Sequence, residues 1–406
     1  MAQTKVNKAL QRFTSDSSVR RAFFVFTLTR VLVLAILLIG AQMSRVVTGD
    51  GPSLRDMSLS LGKIPVGRIL RNTISVADIN WYQGIASSGY EKIPFNADVS
   101  HNWAFFPLFP LLWRLAAYLT GEYPISGLLL SHIFFFFGLI FVHKAALAFG
   151  FDNRIADRGL FYLAVFPTSY FYSLPLTESL FLFLTACCLY SAKRGRWWTA
   201  GVIGGLASGT RVTGILLLPA LAVLYWESYG GEWRSKQVWR SAVSRREVLS
   251  LLLVPVGLVS FMVYLYAITG NPLAFKDILT TWGRGTGIFA VTLLGYLRNP
   301  WLIAVPWDFR IVNFTGAALA LVCGAWLLKW RQWTLAVYTL LCVTAALSSM
   351  VLQSQARYAM VLFPMFLVLG KAGERPRTDE TIRTISIALF CLMTALFAAH
   401  FSMAMA

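Results

Sequence analysis

Two acidic and two basic residues lie in or beside apolar stretches of this sequence. The carboxylates are Asp78, in VADINWYQGIASSGYEK, and Glu178, in FPTSYFYSLPLTESLFLF. The guanidinium groups are Arg211, in GGLASGTRVTGILLLP, and Arg357, in LQSQARYAMVLFPMF. Ionisable side chains at membrane depth are costly, so each position suggests a function or a charged partner. A carboxylate at a membrane surface could deprotonate a hydroxyl, and an arginine could bind a phosphate.

Each of these residues also has a purely structural interpretation. Asp78 precedes INWYQGIA and could cap a helix N-terminus. Glu178 opens an apolar run, where it could complement the helix dipole. Arg211 could pair with a nearby carboxylate, for which Glu178 is a candidate, and Arg357 could extend its charge to the membrane interface. The sequence alone leaves these alternatives open.

Aromatic residues and one histidine surround the first carboxylate. Trp81, Tyr82 and Tyr90 follow Asp78 closely and could line a binding site or anchor the chain at the interface. His101, in NADVSHNWAFFP, could line the same site or be an ordinary surface residue. Within the first apolar run, an arginine at position 30 could pair internally or meet lipid headgroups.

Composition places these residues in a membrane protein. The chain has 406 residues, of which 57% are hydrophobic and 13% charged, and its mean hydropathy is +0.62. These values exclude a soluble globular enzyme, a disordered chain and a coiled coil. The apolar runs are long and continuous, which excludes a porin-type barrel and predicts an all-α polytopic membrane protein. The net charge of +18 is typical of basic cytoplasmic loops, so no nucleic-acid partner is expected.

The apolar runs predict about eleven transmembrane helices. The predicted spans are 22–44, 126–148, 159–175, 178–192, 197–211, 213–228, 249–269, 311–329, 333–351, 357–371 and 383–403. The stretch 197–228 could instead form one long helix. Small residues there, such as Gly205 and Gly214, allow neighbouring helices to approach closely.

The distribution of Lys and Arg among the short loops predicts a cytoplasmic N-terminus. Two long segments, 45–125 and 270–310, then lie on the non-cytoplasmic side. Within the first, residues 104–119 are predicted to form a helix in the membrane interface. With no internal repeat, we expect one integral-membrane domain over 1–406. The five cysteines lie in apolar runs without metal-ligand spacing, so no disulfide or zinc site is expected.

Four blocks of this sequence resemble the PIG-V family of membrane mannosyltransferases, within the GT-C superfamily. They are DINWYQGIASSGYEK (78–92) with AFFPLFPLL (104–112), FPTSYFYSLPLTESLFLFL (166–184), ASGTRVTGILLLP (207–219) and ARYAMVLFPMF (356–366). They follow the family order over roughly residues 25 to 370. The sequence departs from the family pattern at Ala77, where Trp is usual, at Thr213, where Asn is usual, and near AFFP, where Asp98 and His101 replace a Glu.

The resemblance implies a GT-C-like helical bundle and a role for each matched residue. Asp78 matches the acidic residue to which the superfamily assigns catalysis. Arg211 and Arg357 would bind the donor phosphate. Glu178 would line the site, with His101, Trp81, Tyr82 and Tyr90 beside it.

The implied reaction is inverting transfer of a hexose, expected to be mannose, from a polyprenyl-phosphate donor to a lipid-linked or glycan acceptor. No cofactor and no divalent metal are expected. The compact chain suggests a bacterial plasma membrane, with the site on the non-cytoplasmic face. The alternative is a transporter or flippase for a lipid-linked sugar, which would bind the same headgroup without chemistry.

Overall fold

Helices form the regular structure of the residues that this computed structural model describes, which are 16–47, 78–228, 245–298, 300 and 309–399. The α-helices are α1 (Ser17–Val47), α2 (Asp78–Ser88), α3 (Leu108–Thr120), α4 (Tyr123–Ala148), α5 (Asn153–Ala164), α6 (Thr177–Lys193), α7 (Trp197–Ser208), α8 (Leu217–Ser228), α9 (Val256–Thr269), α10 (Ala274–Asp277), α11 (Phe289–Arg298), α12 (Arg310–Lys329), α13 (Trp333–Leu347), α14 (Gln355–Met360), α15 (Phe363–Ala372) and α16 (Pro376–Ala398). Short 3-10 helices cover Asn102–Ala104, Ser169–Ser173, Val212–Leu216, Arg246–Leu253 and Ile278–Trp282. The predicted all-α class is confirmed.

Within the described residues, four helices are long and apolar enough to cross a membrane: α1, α4, α12 and α16. A fifth span results if Arg246–Leu253 and α9, which meet at a 42° bend, count as one. The bend falls at Pro255, which has no amide hydrogen to continue a helix. The expected number of about eleven spans is therefore not confirmed. Parts of both long loops, residues 48–77, 299 and 301–308, lie outside the described residues.

Several predicted spans are interrupted. The span predicted at 159–175 ends as a helix at Ala164, before Pro167, because proline disfavours helical backbone in the preceding residue. The span predicted at 357–371 divides into α14 and α15, with Pro364 in the first turn of α15. The stretch 197–228 is not one long helix, since α7 ends at Ser208 and Arg211 has an extended backbone.

Arg30 stabilises the break in the chain after α5. Its side chain is buried, and its guanidinium donates to the carbonyl oxygens of Ala164 and Ser169 at 3.1 and 3.0 Å. It also donates to the hydroxyl of Ser173 at 2.8 Å and lies 4.6 Å from the centre of the Phe135 ring. Arg30 therefore pairs internally, and the carbonyl groups freed by the break keep hydrogen-bond partners at membrane depth.

The helix predicted at 104–119 is α3, and it anchors α2. One face of α3 is buried through Phe109 and Trp113, while Leu115 on the other face is exposed. Arg114 donates to the carbonyl oxygens of Ile85 and Ala86, at 2.9 and 2.5 Å. A cation at the last turn of a helix is favourable, so this contact fixes the orientation of the helix that begins at Asp78.

Glycines allow the close approach of α7 and α9 that the sequence suggested. A Cβ atom at Gly257 would lie 2.1 Å from the carbonyl oxygen of Gly205, and one at Gly205 would lie 2.6 Å from that of Leu253. Backbone atoms meet here without side chains between them. This packing holds α9 against the end of α7, next to the break that carries Arg211.

We predict that Gly257→Ala lowers the free energy of unfolding by about 1–3 kcal/mol, because the added methyl group collides with backbone. Thermal unfolding in detergent micelles measures the effect. Gly84→Ala is the matched control, because no atom lies within 4 Å of its added Cβ, and it should be neutral or stabilising. Equal unfolding temperatures for the two variants would contradict the close packing.

Candidate active site

The four charged residues singled out in the sequence form one cluster centred on Arg357. Its Nη1 donates to Oδ2 of Asp78 at 2.7 Å, and its Nε donates to Oε1 of Glu178 at 2.5 Å. The same Glu178 oxygen accepts from Nη2 of Arg211 at 3.1 Å. Glu178 thus bridges two arginines, and Arg357 bridges two carboxylates. The interpretation of Arg211 as a partner of Glu178 is confirmed.

Burial separates the two carboxylates. The Glu178 side chain is 0% exposed and that of Arg357 is 4% exposed. Arg211 is 13% exposed, whereas Asp78 is 41% exposed. Asp78 is therefore the carboxylate that is exposed to the solvent-accessible space, while Glu178 holds the two arginines. Because Glu178 also lies in the first turn of α6, it can complement the helix dipole as well.

Asp78, Arg211 and Arg357 line a cavity of about 710 Å³. Such a volume suits a small-molecule or headgroup site, which typically spans about 300–1,000 Å³. The rest of the wall is largely apolar and aromatic, and it is formed by Trp81, Tyr82, Ala104, Phe105, Phe106, Phe181, Thr210, Val212, Thr213, Leu279, Trp282, Arg284, Cys342, Ala345, Ala346, Ser349, Gln353, Ser354, Tyr358, Val361 and Leu362. Glu178 is not part of this wall. It is hydrogen-bonded to Arg211 and Arg357, which are.

Helix ends and breaks position the charged cluster. Asp78 is the first residue of α2, and Arg211 lies in the break between α7 and the 3-10 turn that follows. Arg357 is on the short helix α14, whose Ala356 amide donates to Oδ1 of Asn313 on α12 at 3.1 Å. Before Glu178, the hydroxyl of Tyr172 donates to the carbonyl of Met360 at 2.6 Å and ties the Ser169–Ser173 turn to α14.

The aromatic residues predicted near Asp78 have different positions. Trp81 and Tyr82 line the cavity, and burial raises the pKa of the Tyr82 phenol, so its hydroxyl stays protonated. Tyr90 instead donates its hydroxyl to the carbonyl of Phe105 at 2.5 Å, behind the wall. His101 is also absent from the described wall: its Nδ1 pairs with Glu91 and its ring stacks on a tryptophan 4.2 Å away.

Trp282, Arg284 and Tyr358 are among the wall residues that were not singled out as site residues in the sequence. Trp282 and Arg284 come from the second long loop, and Tyr358 follows Arg357. Trp81 and Trp282 meet edge to face with ring centres 6.1 Å apart. A usable signal was the string TTWGRGTG, in which an arginine stands between glycines next to a tryptophan. Among the described residues, no group of three or more His, Cys, Asp or Glu side chains could hold a metal ion.

Comparison with known proteins bears on this cluster. The sequence profile of the family described as Mannosyltransferase (PIG-V) matches residues 20–274. The chain belongs to this family. The resemblance to this family is thereby confirmed. Asp78, Glu178 and Arg211 lie within the matched region, whereas Arg357 and the fourth block, 356–366, lie outside it.

Relatives of this chain include GPI alpha-1,6-mannosyltransferase 2 of Mus musculus, 26% identical over 52% of this chain and 45% of the mouse protein. The Cricetulus griseus enzyme of the same name is 32% identical over 29% of this chain and 26% of its own length. The chain thus spans less than half of these relatives. ArnT from Cupriavidus metallidurans, solved bound to undecaprenyl phosphate, matches 93% of this chain and 74% of its own with a TM-score of 0.50 and 14% identity. This likeness confirms the GT-C-like fold.

We predict that Glu178→Gln lowers the free energy of unfolding by about 3–5 kcal/mol, because the buried Arg357 and the partly buried Arg211 lose their shared counter-charge. Thermal unfolding of the purified protein measures the loss. Glu374→Gln makes the same change at an exposed position and should alter stability by less than about 0.5 kcal/mol. If both variants unfold at the wild-type temperature, the cluster does not stabilise the fold.

Proposed function

We propose that this PIG-V family member is a membrane enzyme that transfers mannose from a polyprenyl-phosphate donor to a hydroxyl of a lipid-linked or glycan acceptor. One observation carries the proposal: an accessible carboxylate, Asp78, shares a cavity with two arginines that Glu178 holds in place. A general base and a phosphate-binding group are what the reaction needs. Family membership favours transfer over the alternative of a sugar-lipid transporter.

In the proposed reaction, Asp78 takes the proton of the acceptor hydroxyl as its oxygen attacks the anomeric carbon of the donor sugar. The bond from that carbon to the phosphate oxygen breaks, and its electron pair leaves with the polyprenyl phosphate. A single displacement of this kind inverts the anomeric configuration. Arg211 and Arg357 face the leaving phosphate and stabilise the charge that develops on it.

The geometry around Asp78 suits a base of this kind. Only its Oδ2 is engaged with Arg357, and 41% of the side chain is exposed. The arginine keeps the carboxylate oriented. Trp81 is three residues further along α2, on the same face of the helix, and lines the cavity beside the carboxylate, where an indole ring can stack on a sugar.

We also propose that the N-terminus is cytoplasmic and that Asp78 faces the non-cytoplasmic side. The excess of Lys and Arg in the short loops assigned to the cytoplasm supports this orientation. The compact chain favours a bacterial plasma membrane. A donor anchored in that membrane would present its sugar at the surface where α2 and α3 lie.

We predict that Asp78→Asn lowers the rate of mannose transfer at least about 10²-fold, because the amide cannot accept the proton. The oxygen that accepts from Arg357 is retained, so folding should be preserved. Transfer is measured with purified protein, polyprenyl-phosphate mannose and a membrane-lipid extract, and the product is identified by mass spectrometry.

The control for this variant is Asp98→Asn, which changes an exposed carboxylate in the segment between α2 and α3 and should leave the rate unchanged. Near-normal turnover by Asp78→Asn would remove Asp78 from the mechanism. Failure of the wild-type protein to transfer mannose from any polyprenyl-phosphate sugar would refute the proposed function itself.

The proposed reaction needs no divalent cation, because the leaving group is a single phosphate rather than a diphosphate, and arginine side chains of the cavity wall can bind it. We predict that EDTA treatment leaves the transfer rate within about twofold of the untreated enzyme, a difference of less than about 0.5 kcal/mol in activation free energy. Loss of activity in EDTA, restored by added Mg²⁺ or Mn²⁺, would show that a metal takes part.

A further inference from the structure

The formal charges of the four clustered residues cancel. Asp78 and Glu178 are both engaged by Arg357, and Glu178 is engaged by Arg211 as well. Two carboxylates thus oppose two guanidinium groups. The cluster orients its members well, but by itself it offers an incoming phosphate no net positive charge. Among the described wall residues, the remaining formal charge belongs to Arg284.

Two backbone hydrogen bonds hold the loop that carries Arg284 at the cavity. The amide of Gly285 donates to the carbonyl oxygen of Ser349 at 3.0 Å, and the amide of Gly287 donates to that of Ser348 at 2.9 Å. These two bonds fasten the loop to the C-terminal end of α13. Backbone hydrogen bonds of the residues that follow Arg284 therefore fix its position at the cavity.

Among the residues that the structure describes, the Arg284 side chain has one hydrogen-bond acceptor. Its Nη1 donates to the hydroxyl of Tyr358 at 3.0 Å, and no carboxylate within the described residues lies in ion-pair contact with it. Its guanidinium carbon lies 5.8 Å from the centre of the Tyr358 ring, and that of Arg211 lies 5.1 Å from the same centre. Two guanidinium groups therefore approach one ring. Within the described part of the chain, Arg211 has a carboxylate partner and Arg284 has none.

The proposed reaction adds charge to the phosphate. The donor phosphodiester carries one negative charge, and breaking the bond between the anomeric carbon and oxygen leaves a phosphate monoester with one more. The negative charges of Asp78 and Glu178 would repel the additional negative charge on the phosphate if no further cation were present. A guanidinium with free donors, in a cavity largely walled by apolar groups, stabilises such a change strongly.

We propose that Arg284 binds the phosphate of the lipid-linked donor and stabilises it as it leaves, so that the enzyme uses a cation from the second long loop in addition to Arg211 and Arg357. This inference rests on the proposed function. Arg284 is then a catalytic residue, and Tyr358 positions it. The oriented arginines of the cluster contribute hydrogen bonds, while Arg284 contributes the net charge.

The experiment compares Arg284→Gln and Arg284→Lys with Arg298→Gln, which removes an arginine at the end of α11, outside the described cavity wall. Binding of undecaprenyl phosphate in detergent micelles is followed by tryptophan fluorescence, to which Trp81 and Trp282 in the wall contribute. Steady-state transfer from polyprenyl-phosphate mannose gives KM for donor and for acceptor separately.

We expect Arg284→Gln to weaken undecaprenyl phosphate binding and to raise the KM for the donor, each about tenfold or more, with the KM for the acceptor unchanged. Arg284→Lys should restore part of both effects because it restores the charge. Arg298→Gln should behave as wild type. Tyr358→Phe, which removes only the hydroxyl that Arg284 contacts, should cause a smaller loss than Arg284→Gln.

Wild-type binding of undecaprenyl phosphate by Arg284→Gln would overturn the proposal. A raised KM for the acceptor alone would also overturn it and assign Arg284 to an acceptor phosphate. If Tyr358→Phe and Arg284→Gln weaken binding and raise the donor KM equally, and Arg284→Lys restores neither, then Arg284 has a structural role only and the proposal is overturned. The binding measurement needs no turnover, so its result stands apart from whether the wild-type protein transfers mannose.

Discussion

The carboxylate of Glu178 is the constraint on which the rest of the site depends. It is fully buried, and one of its oxygens accepts hydrogen bonds from both Arg211 and Arg357. A buried carboxylate without cations would be very costly, and so would the arginines without the carboxylate. The three residues therefore require one another. Since they lie on α6, on the break after α7 and on α14, their pairing joins three parts of the chain at one point.

The cavity is lined in part by residues at an interruption between helices, the break after α7. Irregular backbone at membrane depth is tolerated where protein buries it or where it lines a cavity. The break that carries Arg211 lines the cavity, and the break after α5 is satisfied by Arg30, whose donors reach Ala164 and Ser169. Interrupting these helices exposes polar groups and charged side chains at a depth where continuous helices would present only apolar surface.

The carboxylates of Glu178 and Asp78 differ in burial and therefore in what they can contact. Glu178 is sealed and can act only on its arginines, whereas Asp78 extends from the first residue of α2 into the cavity. The position of Asp78 depends on α3, because Arg114 fixes the end of α2 opposite to it. The pair of helices α2 and α3 thus carries the exposed carboxylate, and α14 supplies its cationic partner, Arg357.

The sequence by itself determined the all-α membrane class, the family and the identities of Asp78, Glu178, Arg211 and Arg357, because hydropathy and the order of motifs are local properties of a chain. Only the tertiary structure decided how these charges pair, since Asp78 and Arg357 are 279 positions apart. The same holds for the helix interruptions, which depend on partners such as Arg30 as well as on proline. It also decided that Arg284 joins the cavity wall while Tyr90 and His101 lie behind or outside it, because wall membership depends on packing between distant segments.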